Sequence, residues 1–192
     1  MSELVALIGL GNPGADYAQT RHNAGFWWID ALAGAARVSL RPESKFHSHA
    51  ARATVFGRDV LLVQPQTFMN RSGQAVQAVA QFYKIEPGNL LIAHDELALP
   101  PGTARLKLGG GHAGHNGLRN IHAALGPDYR RLRIGIGHPG DKAQVLNYVL
   151  GRPGRDEAAA VSDALIKAAG ALDTWFTKGW EQAMTQLHTQ SD

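Results

Sequence analysis

The run Leu4–Ile8, followed at once by Gly9-Leu10-Gly11-Asn12-Pro13-Gly14, constrains this chain more than any other stretch. A short, unbroken apolar run with no polar alternation predicts a buried strand. The glycines then permit positive φ and Pro13 fixes its own, so the strand ends in a sharp loop. Polar side chains crowd the continuation (Asn12, Tyr17, Thr20, Arg21, His22, Asn23) before a helical pattern begins at Phe26-Trp27-Trp28-Ile29. A buried strand running into a polar loop is where α/β proteins commonly place a site.

Gly9-x-Gly11-x-x-Gly14 matches the dinucleotide-binding fingerprint letter for letter, yet its surroundings argue otherwise. Pro13 removes an amide from the turn that would face a pyrophosphate. Residues 15–23 carry no apolar stripe for a helix starting there, and no second strand ends in an acid about 20 residues on. Asp30 falls inside the helix pattern, and no Gly-Lys-Ser/Thr follows to suggest a phosphate loop. A plain Gly/Pro turn joining strand to helix stays open as the alternative.

The chain has 192 residues, enough for one large core, and is most simply one domain over 1–192. An apolar content of 44% and 22 glycines suit a compact α/β protein with tight turns. The absence of cysteine excludes disulfide scaffolds, thiol nucleophiles and thiolate metal sites. Met-Ser-Glu-Leu-Val lacks the basic start of a signal peptide, and no run approaches a membrane span, so a cytoplasmic protein is expected. The net charge of +3 is mild: it permits a polyanionic partner but is far from a basic tail wrapping duplex DNA.

Further along, Ala51–Val55 and Asp59–Gln64 read as a hairpin around Phe56-Gly57-Arg58, after a polar region at 42–52. A helix is expected through Ala75–Phe82, a strand at Leu90–His94, a strand at Ala104–Leu108, and a helix at Leu118–Leu125. Leu132, Ile134 and Ile136 alternate against Arg133, which makes 131–137 a strand with one apolar face. A segment at 141–155, bounded by glycines and prolines, is a candidate lid. A C-terminal helical region at 156–188 follows, its apolar residues spaced by three and four up to about Phe176. Strands and helices roughly alternate, so the expected fold class is α/β: a single-domain twisted mixed β-sheet with helices on both faces.

In that architecture the strand ends converge, and the polar groups they carry are Asn12 with His22, Asn70, Asp95, and His115 with Asn116. Alone, each is weak, because Asn caps helices and closes turns. Together they form a candidate cleft. Neither Ser72 nor Ser44 sits in a nucleophile elbow, so a covalent acyl-enzyme has little support. A His–Asp pair can instead activate water, with His22 and Asp95 as one pairing and His94 and His115 as rival bases. Asn amides would hold and polarise a carbonyl, which suits hydrolysis of an activated acyl compound such as an ester. His112-x-x-His115 with Asp95 or His138 could in principle bind zinc, but it lies in a glycine loop and lacks the H-E-x-x-H arrangement; no metal and no cofactor are expected.

Ordered motifs across nearly the whole chain then resemble the bacterial peptidyl-tRNA hydrolases. They are Gly9-Leu10-Gly11-Asn12-Pro13-Gly14 with Tyr17 and Thr20-Arg21-His22-Asn23-Ala24-Gly25; Gln64-Pro65-x-Thr67-Phe68-Met69-Asn70-x-Ser72-Gly73; His94-Asp95-Glu96-Leu97; Lys107-Leu108-Gly109-Gly110-Gly111-His112-Ala113-Gly114-His115-Asn116-Gly117-Leu118; and Arg131-Leu132-Arg133-Ile134-Gly135-Ile136-Gly137-His138-Pro139. The resemblance implies a small monomeric enzyme, with no obligate protein partner, that cleaves the ester between a peptide and the 3′-terminal ribose of tRNA. It implies His22 as general base, Asp95 as its partner, Asn12 positioning substrate or water, and Asn116 near the scissile ester. Tyr17, Met69, Asn70 and His115 would contact substrate. Lys107 and Arg133 would clamp the tRNA 5′ phosphate, with Arg105 beside them, where the acceptor stem meets the cleft. Ala113, Glu96 and Arg105 depart slightly from the family pattern. Two other readings stay open: an acyl hydrolase for small non-tRNA esters or amides, and a non-catalytic RNA-binding module.

Overall fold

Strand β1 (Val5–Gly9) lies at the middle of a seven-stranded sheet in the computed structural model, which describes residues 3–190. Across the sheet the order is β2 (Arg41–Glu43), β3 (Ser48–Val55), β4 (Arg58–Pro65), β1, β5 (Leu90–Glu96), β7 (Arg130–Gly135) and β6 (Ala104–Leu108). The β4–β1, β1–β5 and β5–β7 pairings are parallel, and the β2–β3, β3–β4 and β6–β7 pairings antiparallel. The sheet is therefore mixed, as expected, and its parallel centre is the part buried on both faces.

Alternation along β1 divides the core. Val5 and Leu7 pack with α1 (Ala24–Ala36), α5 (Arg155–Lys178) and α6 (Trp180–Gln190). Ala6 and Ile8 face the other way, toward α2 (Ser72–Tyr83) and α3 (Asn116–Leu125). Every residue of β1 is buried, which explains why its sequence is a continuous apolar run.

The glycines after β1 serve packing. A β-carbon on Gly9 would lie 2.1 Å from the Gly25 carbonyl oxygen, and one on Gly11 would lie 2.7 Å from the Phe26 ring. A β-carbon on Gly25 would meet the carbonyl oxygen of Ala93 at 2.4 Å. The start of α1 thus presses onto β1 and β5 at a distance only glycine allows. This close approach seats the turn before α1, which carries His22, beside the end of β5.

Several elements extend beyond their sequence limits. The hairpin strands are longer than expected, and the turn residues Phe56 and Gly57 both have positive φ, +48° and +75°, the hand that matches strand twist. Strand β2 lay within the polar region and was not anticipated, because Arg-Pro-Glu shows no apolar alternation. In the C-terminal region, α6 docks through the buried Ala183 and Leu187 and covers the edge strand β6, where His188 Nε2 accepts from the Leu106 amide.

Segment 141–155 holds a 3₁₀ turn at Lys142–Gln144 and a short helix, α4 (Val145–Val149). Arg21 fastens it: its amide donates to Gly151 O at 3.0 Å and its Nη1 to Tyr148 O at 2.9 Å. The same guanidinium grips the Glu157 carboxylate at 2.7 and 3.0 Å and lies 3.9 Å over the Tyr148 ring. Among the described residues, no helix is long and apolar enough to cross a membrane.

Candidate active site

The parallel strands β1, β4, β5 and β7 end on one side of the sheet, so the loops that follow them meet there. The 3₁₀ turn Arg21–Asn23 brings His22 to the end of β5, and the first residue before α3 brings His115 to the same point. Asp95 lies between them. His22 Nδ1 is 2.8 Å from one carboxylate oxygen and His115 Nε2 is 2.8 Å from the other.

The hydrogen bonds assign the protons. His115 Nδ1 accepts from the amides of Gly117 and Leu118, at 3.1 and 3.3 Å, as the cap of α3. His115 must then carry its proton on Nε2 and donate it to Asp95, so neither of its nitrogens is available as a base. His94 Nδ1 donates to the Asp95 carbonyl at 2.9 Å, and His94 is 2% exposed. Burial and the neighbouring His115 push its imidazole down to about 4, so it stays neutral inside the protein. His22 donates from Nδ1 to Asp95 and is partly exposed, and its Nε2 has no hydrogen bond among the described residues. His94 Nε2 also lacks a partner but is buried, so His22 is the one histidine that pairs with the Asp95 carboxylate and keeps an unpartnered nitrogen on a partly exposed ring.

Electrostatics agree with this arrangement. Burial lowers the affinity of His22 for its proton, but the Asp95 charge and hydrogen bond raise it above the ordinary 6.5 on balance. Burial opposes ionisation of Asp95, yet His22 and His115 hold it well below the usual carboxylate range. The group His22, Asp95 and His115 also offers three ligand atoms within 4.8 Å of one another. Its carboxylate oxygens already receive two N–H groups, so a cation there would have to displace protons that the geometry holds. The His112–His115 pairing considered for zinc is not the one that converges: His112 Nδ1 instead accepts from the Gly114 amide.

The cleft has a volume of about 600 Å³ and is lined by His22, His94, Asp95, His115 and Asn116 together with residues of the glycine loop and of α4. Asn12 is buried and lines a separate hollow beside Asn23 and Gln66 instead of this cavity. Its Oδ1 accepts from the Met69 amide at 2.7 Å, while its backbone exchanges two hydrogen bonds of 2.9 Å with the Asn23 side chain. Asn12 therefore ties together the loops after β1 and β4. Met69 is buried, its sulfur against Gly117, and Asn70 is exposed on the same 3₁₀ turn; neither lines the cavity.

Phe68 lies within one of the family-like motifs, but nothing in the sequence assigns it a role. It adopts φ +61° and ψ 153°, a region left almost entirely to glycine, and remains half exposed with its ring edge-on to Tyr17 at 6.1 Å. Nothing in its side-chain type could reveal that strain.

The basic residues divide by environment. Arg133 pairs with Glu96 at 2.9 Å, a partner the sequence did not indicate. Arg105 donates to the His188 carbonyl at 3.2 Å, and Lys107 is exposed.

A sequence profile of the family described as "Peptidyl-tRNA hydrolase" matches residues 6–192. Relatives described as "Peptidyl-tRNA hydrolase" in Salmonella heidelberg and Salmonella paratyphi B are 53% and 54% identical over 185 residues, spanning 95% of this chain and of each relative. The crystal structure of peptidyl-tRNA hydrolase from Acinetobacter baumannii superposes with a TM-score of 0.93 at 48% identity, over 98% of this chain and 96% of that one.

Proposed function

The chain belongs to the peptidyl-tRNA hydrolase family and hydrolyses the peptidyl-tRNA ester, and from that premise we propose how its cleft does so. The substrate ester joins the peptide's C-terminal carboxyl to the 3′-terminal ribose of tRNA. His22 Nε2 takes a proton from a water while the water oxygen attacks the ester carbonyl. Asp95 holds the ring by its Nδ1 proton and stabilises the imidazolium that forms. Asn116 and the Nδ2 group of Asn12 donate toward the developing oxyanion. The imidazolium then returns its proton to the departing ribose oxygen as the C–O bond breaks, releasing free peptide and deacylated tRNA. His115 acts by fixing Asp95 from its other oxygen.

Tyr17 and Phe68 offer an aromatic face beside Asn70 for the peptide or the terminal adenosine. Lys107 and Arg133, with Arg105 nearby, supply positive charge for tRNA phosphate, adding affinity without reading bases. Segment 141–155 covers one side of the cleft as a lid, and the enzyme works as a monomer in the cytoplasm, where peptidyl-tRNA is made.

The observation that carries this reading is the free Nε2 of His22, set by Asp95 on its other nitrogen. Release of the acyl group from N-acetyl-aminoacyl-tRNA tests it. His22→Ala should lose about 10²–10⁴-fold in kcat with substrate affinity retained. Normal turnover by that variant would remove His22 from the mechanism.

A further inference from the structure

Arg133 gives the protein only one edge of its guanidinium. Its Nε donates to Glu96 Oε1 at 2.9 Å, and neither Nη group has a hydrogen-bond partner among the described residues. Arginine and a carboxylate frequently form two parallel bonds. Here the second oxygen is taken: Glu96 Oε2 accepts from the Ala98 amide at 3.2 Å. The backbone fixes that arrangement, with Ile136 N donating to Glu96 O at 3.0 Å and Gly137 N to Leu99 O at 2.8 Å. The loop after β5 also presses onto β7 at Gly135, where a β-carbon would lie 2.2 Å from the Pro100 carbonyl oxygen.

Charge on this face of the sheet gives the contact a purpose. Arg133 is the cross-strand partner of His94 on β5 and of Arg105 on β6, and Arg131 is that of Lys107. Such partners share a face, and Glu96, two residues beyond His94, lies on it as well. Of the residues that β5, β6 and β7 place there, Glu96 alone is acidic. Arg105, directly opposite, repels the Arg133 head. The acid is the inner partner of the pair, its side chain 15% exposed against 26% for Arg133. Burial opposes its charge, yet the Arg133 hydrogen bond, with help from the Ala98 amide, keeps its pKa below the ordinary carboxylate value.

We propose that Glu96 is a positioning residue for the phosphate clamp: it holds Arg133 by Nε and leaves both Nη groups open to two oxygens of the tRNA 5′ phosphate. This rests on the reading of Lys107 and Arg133 as that clamp and deepens it. A carboxylate so near a phosphate weakens the attraction. Ordering the long arginine side chain before the RNA arrives outweighs that loss.

Hydrolysis of two N-acetyl-aminoacyl minihelices that differ only in a 5′ phosphate or a 5′ hydroxyl tests the proposal. The wild-type protein should favour the 5′-phosphate form about tenfold in kcat/KM, chiefly through KM. Glu96→Ala should cut that ratio to about two- to threefold, whatever happens to the rate common to both substrates. Glu96→Gln, which keeps an acceptor for Nε, should retain more of the ratio than Glu96→Ala. In an Arg133→Ala background, Glu96→Ala should leave the remaining ratio unchanged, because the two residues act as one unit. A Glu96 that merely held the loop would lower both substrates alike and keep the ratio near tenfold, and one that competed with phosphate would let it rise; either result in Glu96→Ala overturns the assignment. If the variants do not fold, the side-chain nitrogen resonances of Arg133 in the wild-type protein decide. The Nη groups must shift most on adding the 5′-phosphate minihelix, and a larger shift at Nε would mean that phosphate displaces Glu96, which refutes the role. A wild-type protein indifferent to the 5′ phosphate would instead overturn the clamp reading itself, a result distinguishable from loss of the ratio in the variant alone.

Discussion

Asp95→Asn should disable the enzyme by moving one proton, and the direction of that move follows from the hydrogen bonds. The carboxylate accepts one N–H on each oxygen, from His22 and from His115. An amide has one acceptor and one donor end, so it can satisfy only one of the two imidazoles as they stand. His115 cannot adapt, because its Nδ1 is held as an acceptor by the Gly117 and Leu118 amides and its proton must stay on Nε2. The new Asn therefore turns its oxygen to His115 and its NH₂ to His22. His22 must then accept at Nδ1 and carry its proton on Nε2, where the attacking water needs a lone pair. The full general-base contribution is lost, about 10²–10⁴ in kcat, or about 3–5 kcal/mol on the barrier at roughly 1.4 kcal/mol per tenfold. Acyl release from N-acetyl-aminoacyl-tRNA measures the rate, and ¹⁵N imidazole NMR reads the tautomer. The wild-type His22 should show its proton on Nδ1 and the variant on Nε2. A variant that kept the Nδ1–H form while losing activity would refute this account, as would one that switched tautomer and stayed active.

Three further expectations can be checked more simply. Because Asp95 raises the His22 pKa above 6.5 against the opposing effect of burial, kcat/KM should fall as pH drops through a value above 6.5, where the base becomes protonated; a profile flat from pH 8 to 5.5 would contradict it. Lys107→Ala should raise KM for tRNA substrates with little change in kcat, and should flatten the dependence of log KM on log salt by about one phosphate's worth, roughly 0.7–0.9 in slope; an unchanged slope would mean that Lys107 meets no phosphate. Gly73→Ala places a β-carbon 2.5 Å from the Asn120 carbonyl oxygen and should destabilise the α2–α3 contact by about 1–3 kcal/mol in denaturant unfolding, whereas Gly34→Ala, with open space around it and a helical setting, should be neutral or stabilising.

Much of the architecture was legible in local pattern. The continuous apolar run of β1 announced a strand covered on both faces, and the three- and four-residue spacing after Asp156 announced the long C-terminal helix. Residue types at strand ends also pointed to His22, Asp95 and His115 as a chemical group, since hydrolysis draws on a short list of side chains. What local pattern could not supply was distance. The glycines of the first loop spelled a nucleotide fingerprint, and only the packed fold showed them as contact points that let α1 touch β1 and β5. The pairing of Arg133 with Glu96 was not legible either, because a partner so far along the chain gives no periodic signal.

The opening stretch of sequence therefore determined that a buried strand would end in a polar loop and lead back to a histidine. The residues by themselves left His22, His94 and His115 as rival bases, and it is the tertiary structure that separates their surroundings. Three imidazoles contact Asp95, His22 and His115 through its carboxylate and His94 through its backbone carbonyl, and their second nitrogens differ: helix amides meet that of His115, that of His94 is buried without a partner, and that of His22 has no partner on a partly exposed ring. A proton's position on a ring depends on partners that the folded chain brings together, and these three lie on segments far apart in sequence.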